Sequence, residues 1–157
     1  MFHIYTDGAC LGNQTDNGIG GWGYVILNND LAKFKESCNC SKDTTNNRME
    51  MQAVINAMKD MLEYKDELIV IYTDSAYVCN CINQKWYANW RINGWKNSKK
   101  NPVENKDLWV SILELYESFP QIKFVKVKGH STNIWNNYAD NLATNSAQNL
   151  KKVLDKS

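Results

Sequence analysis

Apolar and polar residues alternate over positions 2–7, where Phe2, Ile4 and Thr6 are set against His3, Tyr5 and Asp7; this predicts a strand, broken by Gly8. A glycine-rich stretch from Gly18 to Gly23 leads into a second strand, Trp22 to Leu27. Asn28-Asn29-Asp30 reads as a turn before a third strand near 31–39. The period then changes. Glu50, Ala53, Val54, Ala57, Met58, Met61 and Leu62 fall on one stripe of an amphipathic helix over 48–62. The continuous apolar run Leu68 to Tyr72 predicts a strand buried on both faces. A short helix from Ser75 into the eighties, a helix through Leu108, Ile112, Leu113 and Tyr116, a strand at 122–127 and a helix at about 136–154 complete the chain.

Three strands joined by short turns form an antiparallel meander. The later alternation of helix and strand requires crossovers, so the class is α/β with a mixed sheet. The first strand is expected beside the fourth, with helices covering the faces. No repeat or linker divides residues 1–157, and a single domain is expected.

Charge adds one feature. The formal net charge is +1, yet Lys85 to Lys106 holds Lys85, Arg91, Lys96, Lys99, Lys100 and Lys106 against Glu104 alone. That window also holds Trp86, Tyr87, Trp90 and Trp95. Basic and aromatic residues together on an otherwise acidic body are a footprint of nucleic-acid binding. No apolar run is long enough to span a bilayer and no export signal is visible, so a cytoplasmic protein without membrane attachment is expected. The five cysteines include Cys38-Asn39-Cys40 and Cys79-Asn80-Cys81, whose spacing differs from zinc turns; reduced thiols acting as small apolar residues are expected.

Three acids stand where a core pattern calls for something else. Glu50 lies on the apolar stripe of its helix, where the alternative is an acid favoured by the helix dipole. Asp7 ends the first strand and Asp74 ends the fourth. If those strands are parallel neighbours, both carboxylates emerge at the sheet end where open α/β folds place their ligands. Like charges that close need a cation between them. Oxygen donors alone select Mg2+, with Mn2+ as a substitute.

These residues sit in motifs that resemble the type 1 ribonuclease H family. Asp7-Gly8-Ala9-Cys10-Leu11-Gly12-Asn13 is similar to its opening motif, and Thr44-Thr45-Asn46-Asn47-Arg48-Met49-Glu50 to its second. Tyr72-Thr73-Asp74-Ser75 resembles the third, and Val127-Lys128-Gly129-His130 through Asn136-Asn137-Tyr138-Ala139-Asp140 the last. The segment at about 85–106 resembles the basic protrusion of many members. The resemblance implies the ribonuclease H-like three-layer fold, a five-stranded sheet of order 3-2-1-4-5 with strand 2 antiparallel. It implies metal coordination by Asp7, Glu50, Asp74 and Asp140, and assistance to proton transfer or product release by His130. It places Asn13, Asn47 and Glu50 near an RNA strand, Thr45 and Asn105 on a DNA phosphate, and Trp95 on a DNA sugar. Trp86, Lys96, Lys99 and Lys100 join them as substrate contacts.

The activity so implied is endonucleolytic hydrolysis of the RNA strand of an RNA/DNA hybrid. Two cations roughly 4 Å apart would serve in-line attack and leave 5′-phosphate and 3′-hydroxyl ends. A monomer with no obligate protein partner is expected. Three departures bear on affinity: Asp43 where arginine is common, Ala76 where glutamine is common, and the less basic Arg91-Ile92-Asn93. Fewer phosphate contacts predict weaker hybrid binding and a shallower salt dependence. The competing readings are a nuclease domain of a reverse transcriptase, a non-catalytic hybrid-binding module, and a DNA-directed nuclease. Met1 favours a stand-alone enzyme over the first, retention of every acid argues against the second, and Thr44 to Glu50 with the basic segment against the third.

Overall fold

A computed structural model describes residues 1–12, 18–128 and 132–156. Its sheet has the order β3-β2-β1-β4-β5, formed by β1 (Phe2–Leu11), β2 (Gly18–Leu27), β3 (Lys33–Thr44), β4 (Ile69–Thr73) and β5 (Ile122–Lys126). β1, β2 and β3 are antiparallel neighbours, whereas β4 runs parallel to both β1 and β5. The expected strand order, with β1 beside β4, is therefore present.

Helices cover both faces. α1 (Asn46–Asp60) lies on β1 and β2, and α4 (Lys106–Tyr116) packs against α1. α5 (Ile134–Asp155) covers the opposite face across β1, β2 and β3. The main core fills the space under α1, where Ile4, Ile26, Met51, Val54, Met58 and Ile71 are all essentially inaccessible to solvent. Burial on this scale, at roughly 1.5–3 kcal/mol per large apolar side chain, is what holds α1 in place. Among the described residues no helix is long and apolar enough to cross a membrane.

Gly8 does not break β1, which continues by pairing with β2 as far as Leu11 and Ile19. Its missing side chain serves packing. A Cβ there would lie 2.3 Å from the Glu50 nitrogen and 2.5 Å from the Met49 carbonyl carbon, so only glycine lets the first turns of α1 settle on β1. Gly21 does the same for α5, since a Cβ would stand 2.1 Å from the Ala143 oxygen. The glycine-rich stretch is thus part of β2. It forms the seat of a helix.

β3 runs on to Thr44, beyond the expected 39, because its pairing with β2 extends to Gly18 and Thr44. α1 accordingly starts at Asn46, capped by Thr45, whose side-chain oxygen accepts from the Arg48 amide. After α2 (Ala76–Asn83) the basic segment contains a helix the sequence pattern did not indicate, α3 (Trp86–Ile92). Trp90 anchors it, with its ring 5.8 Å from that of Trp95 and 5.9 Å from that of the fully buried Trp109. Lys96 and Pro102 then form an isolated antiparallel bridge, so the segment returns as a narrow loop onto α4.

Candidate active site

The register of β1 and β4 determines where two acids fall. Tyr5 pairs with Tyr72 as the last aligned couple, and their rings stack 4.5 Å apart. Side chains two residues further on share the same face, so Asp7 and Asp74 form the next row at the carboxyl end of the parallel strands. Asp7 therefore lies within β1, although it stands at the end of the parallel pairing. Glu50 arrives from the second turn of α1, which Gly8 admits. Side-chain oxygens of Asp7, Glu50 and Asp74 all lie within 4.8 Å of one another. Asp140, in the second turn of α5, lines the same cleft of about 450 Å³.

The site is short of compensating charge. Asp7 and Glu50 are buried, with 4% and 8% of their surface accessible. The Gly8 amide donates to Asp7 Oδ1 at 2.8 Å and to Glu50 Oε1 at 3.1 Å. The Thr73 hydroxyl donates weakly to Glu50 Oε2 at 3.5 Å, and itself accepts from the Ser75 amide at 3.0 Å. These contacts do not offset burial. Burial first, with the nearby charges of Asp74 and Asp140, pushes the Asp7 carboxyl up to about 7 despite its hydrogen bond with Glu50. Burial followed by the Asp7 charge holds the Glu50 carboxyl well above the ordinary carboxylate range. A buried acid pair of this kind shares a proton or binds a cation. Hard oxygen donors crowded at a solvent-open cleft suit a divalent ion of the Mg2+ or Mn2+ type, and this is the group that the residues fit.

The expected substrate contacts divide into several places. Asn47 is exposed on the rim of the acid cleft, beside Asn46. Thr45 caps α1, and Asn105 precedes α4 in a left-handed conformation with φ 59°. Trp95 is half-buried, with the Lys106 ammonium 5.7 Å from its ring centre. Trp86 is half-buried and donates from Nε1 to Gln84 at 3.0 Å. It lines a separate groove of about 350 Å³ with Trp90, Ile92 and Lys96. Lys96, Lys99 and Lys100 are exposed. Asn13 and His130 lie outside the described residues. Asp43 and Ala76, two of the departures, are both exposed, and Ala76 lines the acid cleft.

Some participants carried no expectation from sequence. Thr73 belongs to one of the motifs but had no role there, and the Gly8 amide was hidden behind the reading of Gly8 as a strand breaker. Arg91 is a basic residue that its surroundings consume: its guanidinium forms two hydrogen bonds to Glu117, at 3.1 and 2.7 Å. Among the described residues the cluster fit for a metal is the acid group; Cys79 and Cys81 are buried, whereas Cys38 is exposed.

The profile of the RNase H family matches residues 1–148. The chain belongs to the ribonuclease H family. It is 49% identical over 140 residues to ribonuclease H of Clostridium botulinum, covering 89% of this chain and 91% of that one. Ribonuclease H of Acetivibrio thermocellus is 46% identical over 149 residues, covering 95% and 96%. Among solved structures, LC9-RNase H1, a type 1 RNase H with the type 2 active-site motif, superposes with a TM-score of 0.80 at 27% identity, over 94% of this chain and 72% of that one. The foamy viral protease-reverse transcriptase in complex with RNA/DNA hybrid superposes with a TM-score of 0.82 at 27% identity, over 93% of this chain and 20% of the viral one. Membership of the family makes the protein an enzyme of the nuclease class, and the five-stranded sheet is the ribonuclease H-like fold.

Proposed function

We propose that this ribonuclease H cuts the RNA strand of RNA/DNA hybrids, with Asp7, Glu50, Asp74 and Asp140 holding two Mg2+ ions, for which Mn2+ can substitute. The observation that carries the reading is the crowding of carboxylate oxygens from Asp7, Glu50 and Asp74 within 4.8 Å at an open cleft that Asp140 also lines. Divalent cations held by these carboxylates would supply Lewis acidity to a phosphodiester hydrolysis that leaves 5′-phosphate and 3′-hydroxyl ends.

The chain's own groups set the conditions for that chemistry. The Gly8 amide and the Thr73 hydroxyl orient Glu50 from two sides, leaving the carboxylates aimed at one another and at the cleft. Asn47, on the rim of the cleft, serves the RNA strand, where a 2′-hydroxyl is the group that marks RNA; the family resemblance gives Asn13 the same role. Thr45 and Asn105 serve a phosphate of the DNA strand, and Trp95 and Trp86 pack on the duplex. Lys96, Lys99 and Lys100 add the long-range attraction. His130 assists proton transfer or product release. The likeness to a viral enzyme solved with RNA/DNA hybrid supports this choice of substrate.

The test is a substrate panel with product analysis. Labelled RNA/DNA hybrid, duplex RNA and duplex DNA are incubated with enzyme and Mg2+, and the RNA products are treated with phosphatase and ligase to identify their ends. The proposal expects cleavage confined to the RNA of the hybrid, with ligatable 5′-phosphate and 3′-hydroxyl ends. Comparable cleavage of duplex DNA, or cyclic phosphate ends, would contradict it.

A further inference from the structure

Arg48 stands two residues before Glu50, on the first turn of α1, yet its side chain reaches the foot of the basic segment. Its Nη1 donates to Asp107 Oδ1 at 3.1 Å and its Nη2 to Asp107 Oδ2 at 2.7 Å. Nη1 also donates to Asn105 Oδ1 at 3.2 Å. Two parallel bonds between planar groups fix orientation as well as distance, which a lysine at this position does not reproduce. The helix that carries Glu50 is thereby tied to the first turn of α4, where the basic segment re-enters the body.

The same interaction determines what Asn105 offers. Asn105 makes no side-chain capping bond to α4, so its amide is not committed to its own helix. Because Arg48 takes the amide oxygen, the NH2 group is the end left for a ligand, and NH2 is a donor. A donor suits a phosphate oxygen. Arg48 itself is neutralised by Asp107, and its guanidinium fork is occupied.

We infer that Arg48 is a positioning residue for nucleic-acid binding: through Asp107 it holds the basic segment in register with the carboxylate cleft, and through Asn105 it presents an amide donor to a phosphate. This rests on the hybrid reading given above. It has a counter-intuitive consequence. Asp107→Asn removes a negative charge beside the basic segment, which by long-range electrostatics alone would tighten binding to a polyanion.

The experiment measures the affinity of a fluorescein-labelled RNA/DNA hybrid by anisotropy in chelator, then KM and kcat with Mg2+, for wild type, Asp107→Asn and Arg48→Lys. Lys35→Gln, which breaks the exposed pair with Asp60, is the control for loss of an ion pair. Asp107→Asn and Arg48→Lys are each expected to weaken binding about fivefold, with KM raised in step, kcat within about twofold of wild type, and Lys35→Gln unchanged. Unchanged or tighter binding by Asp107→Asn overturns the inference, including the case where only its melting temperature falls. Failure of wild type to bind the hybrid overturns the hybrid reading, and the positioning role with it.

Discussion

The carboxylates of Asp7 and Glu50 share one backbone donor, the Gly8 amide, at 2.8 and 3.1 Å. One amide between two buried acids cannot compensate both charges, and the Asp7 carboxyl is accordingly pushed up to about 7, with burial the main cause. Protonation of the pair and binding of a cation are therefore alternatives at this site.

The first consequence concerns pH. With both folded-state values raised above the unfolded ones, the metal-free protein binds more protons folded than unfolded in a window that runs from the ordinary carboxylate range to about 7 for Asp7, with Glu50 raised in the same direction. Stability contributed by these groups is thus lost as pH rises through that window. Mg2+ reverses the loss where the pair is ionised. Melting temperatures in chelator and in Mg2+ at pH 5.5 and 8.0 should show a larger metal-induced increase at pH 8.0. An equal increase at both values would separate metal binding from this acid pair.

Glu50→Gln is expected to abolish turnover and, in chelator, to leave the protein at least as stable as wild type, because a neutral amide escapes the cost that burial places on the charged carboxylate. The check is a denaturant titration beside a cleavage assay. Near-normal cleavage would remove Glu50 from the metal site.

Gly8→Ala places a methyl group 2.3 Å from the backbone of α1, where neither strand nor helix can yield cheaply. A loss of about 3 kcal/mol or more is expected, the upper end for overpacking, with a fall in activity as Glu50 is displaced. Denaturant titration measures the first effect, and a loss under about 1 kcal/mol would mean that α1 moves freely.

Replacing Lys96, Lys99 and Lys100 by Ala should make the slope of log affinity against log salt shallower by roughly 0.7–0.9 for each phosphate that is no longer neutralised. Anisotropy titrations between about 50 and 200 mM salt, conditions chosen to span the strong dependence, read this directly. An unchanged slope would take the basic segment away from the phosphates.

Much of this arrangement was legible in the chain. The alternation at 2–7 and the apolar run ending at Tyr72 indicated strands, and the crossover order indicated their adjacency, which by itself lines up Asp7 with Asp74. Glu50 stood out because a carboxylate interrupted an apolar stripe. The role of Gly8 was hidden because a glycine that ends a strand and one that admits a helix look alike until the helix is in place. α3 escaped notice because seven residues hold too few turns for a period to show, and its anchor is Trp109, a distant residue. Arg91 belongs to the basic run of 85–106, and its partner Glu117, which takes up its charge, lies 26 residues along the chain, beyond any local pattern. The bond between Arg48 and Asp107, 59 residues apart, was likewise beyond any local pattern.

The most direct test of the four-carboxylate site is hybrid cleavage under metal control. A 5′-labelled RNA annealed to DNA is incubated with wild type and with Asp74→Asn, each in Mg2+ and in excess chelator. Wild type should cut the RNA in Mg2+ alone, and Asp74→Asn should lose at least about a hundredfold in rate. Cleavage by wild type in chelator, or by Asp74→Asn at the wild-type rate, would contradict a metal site built on these acids.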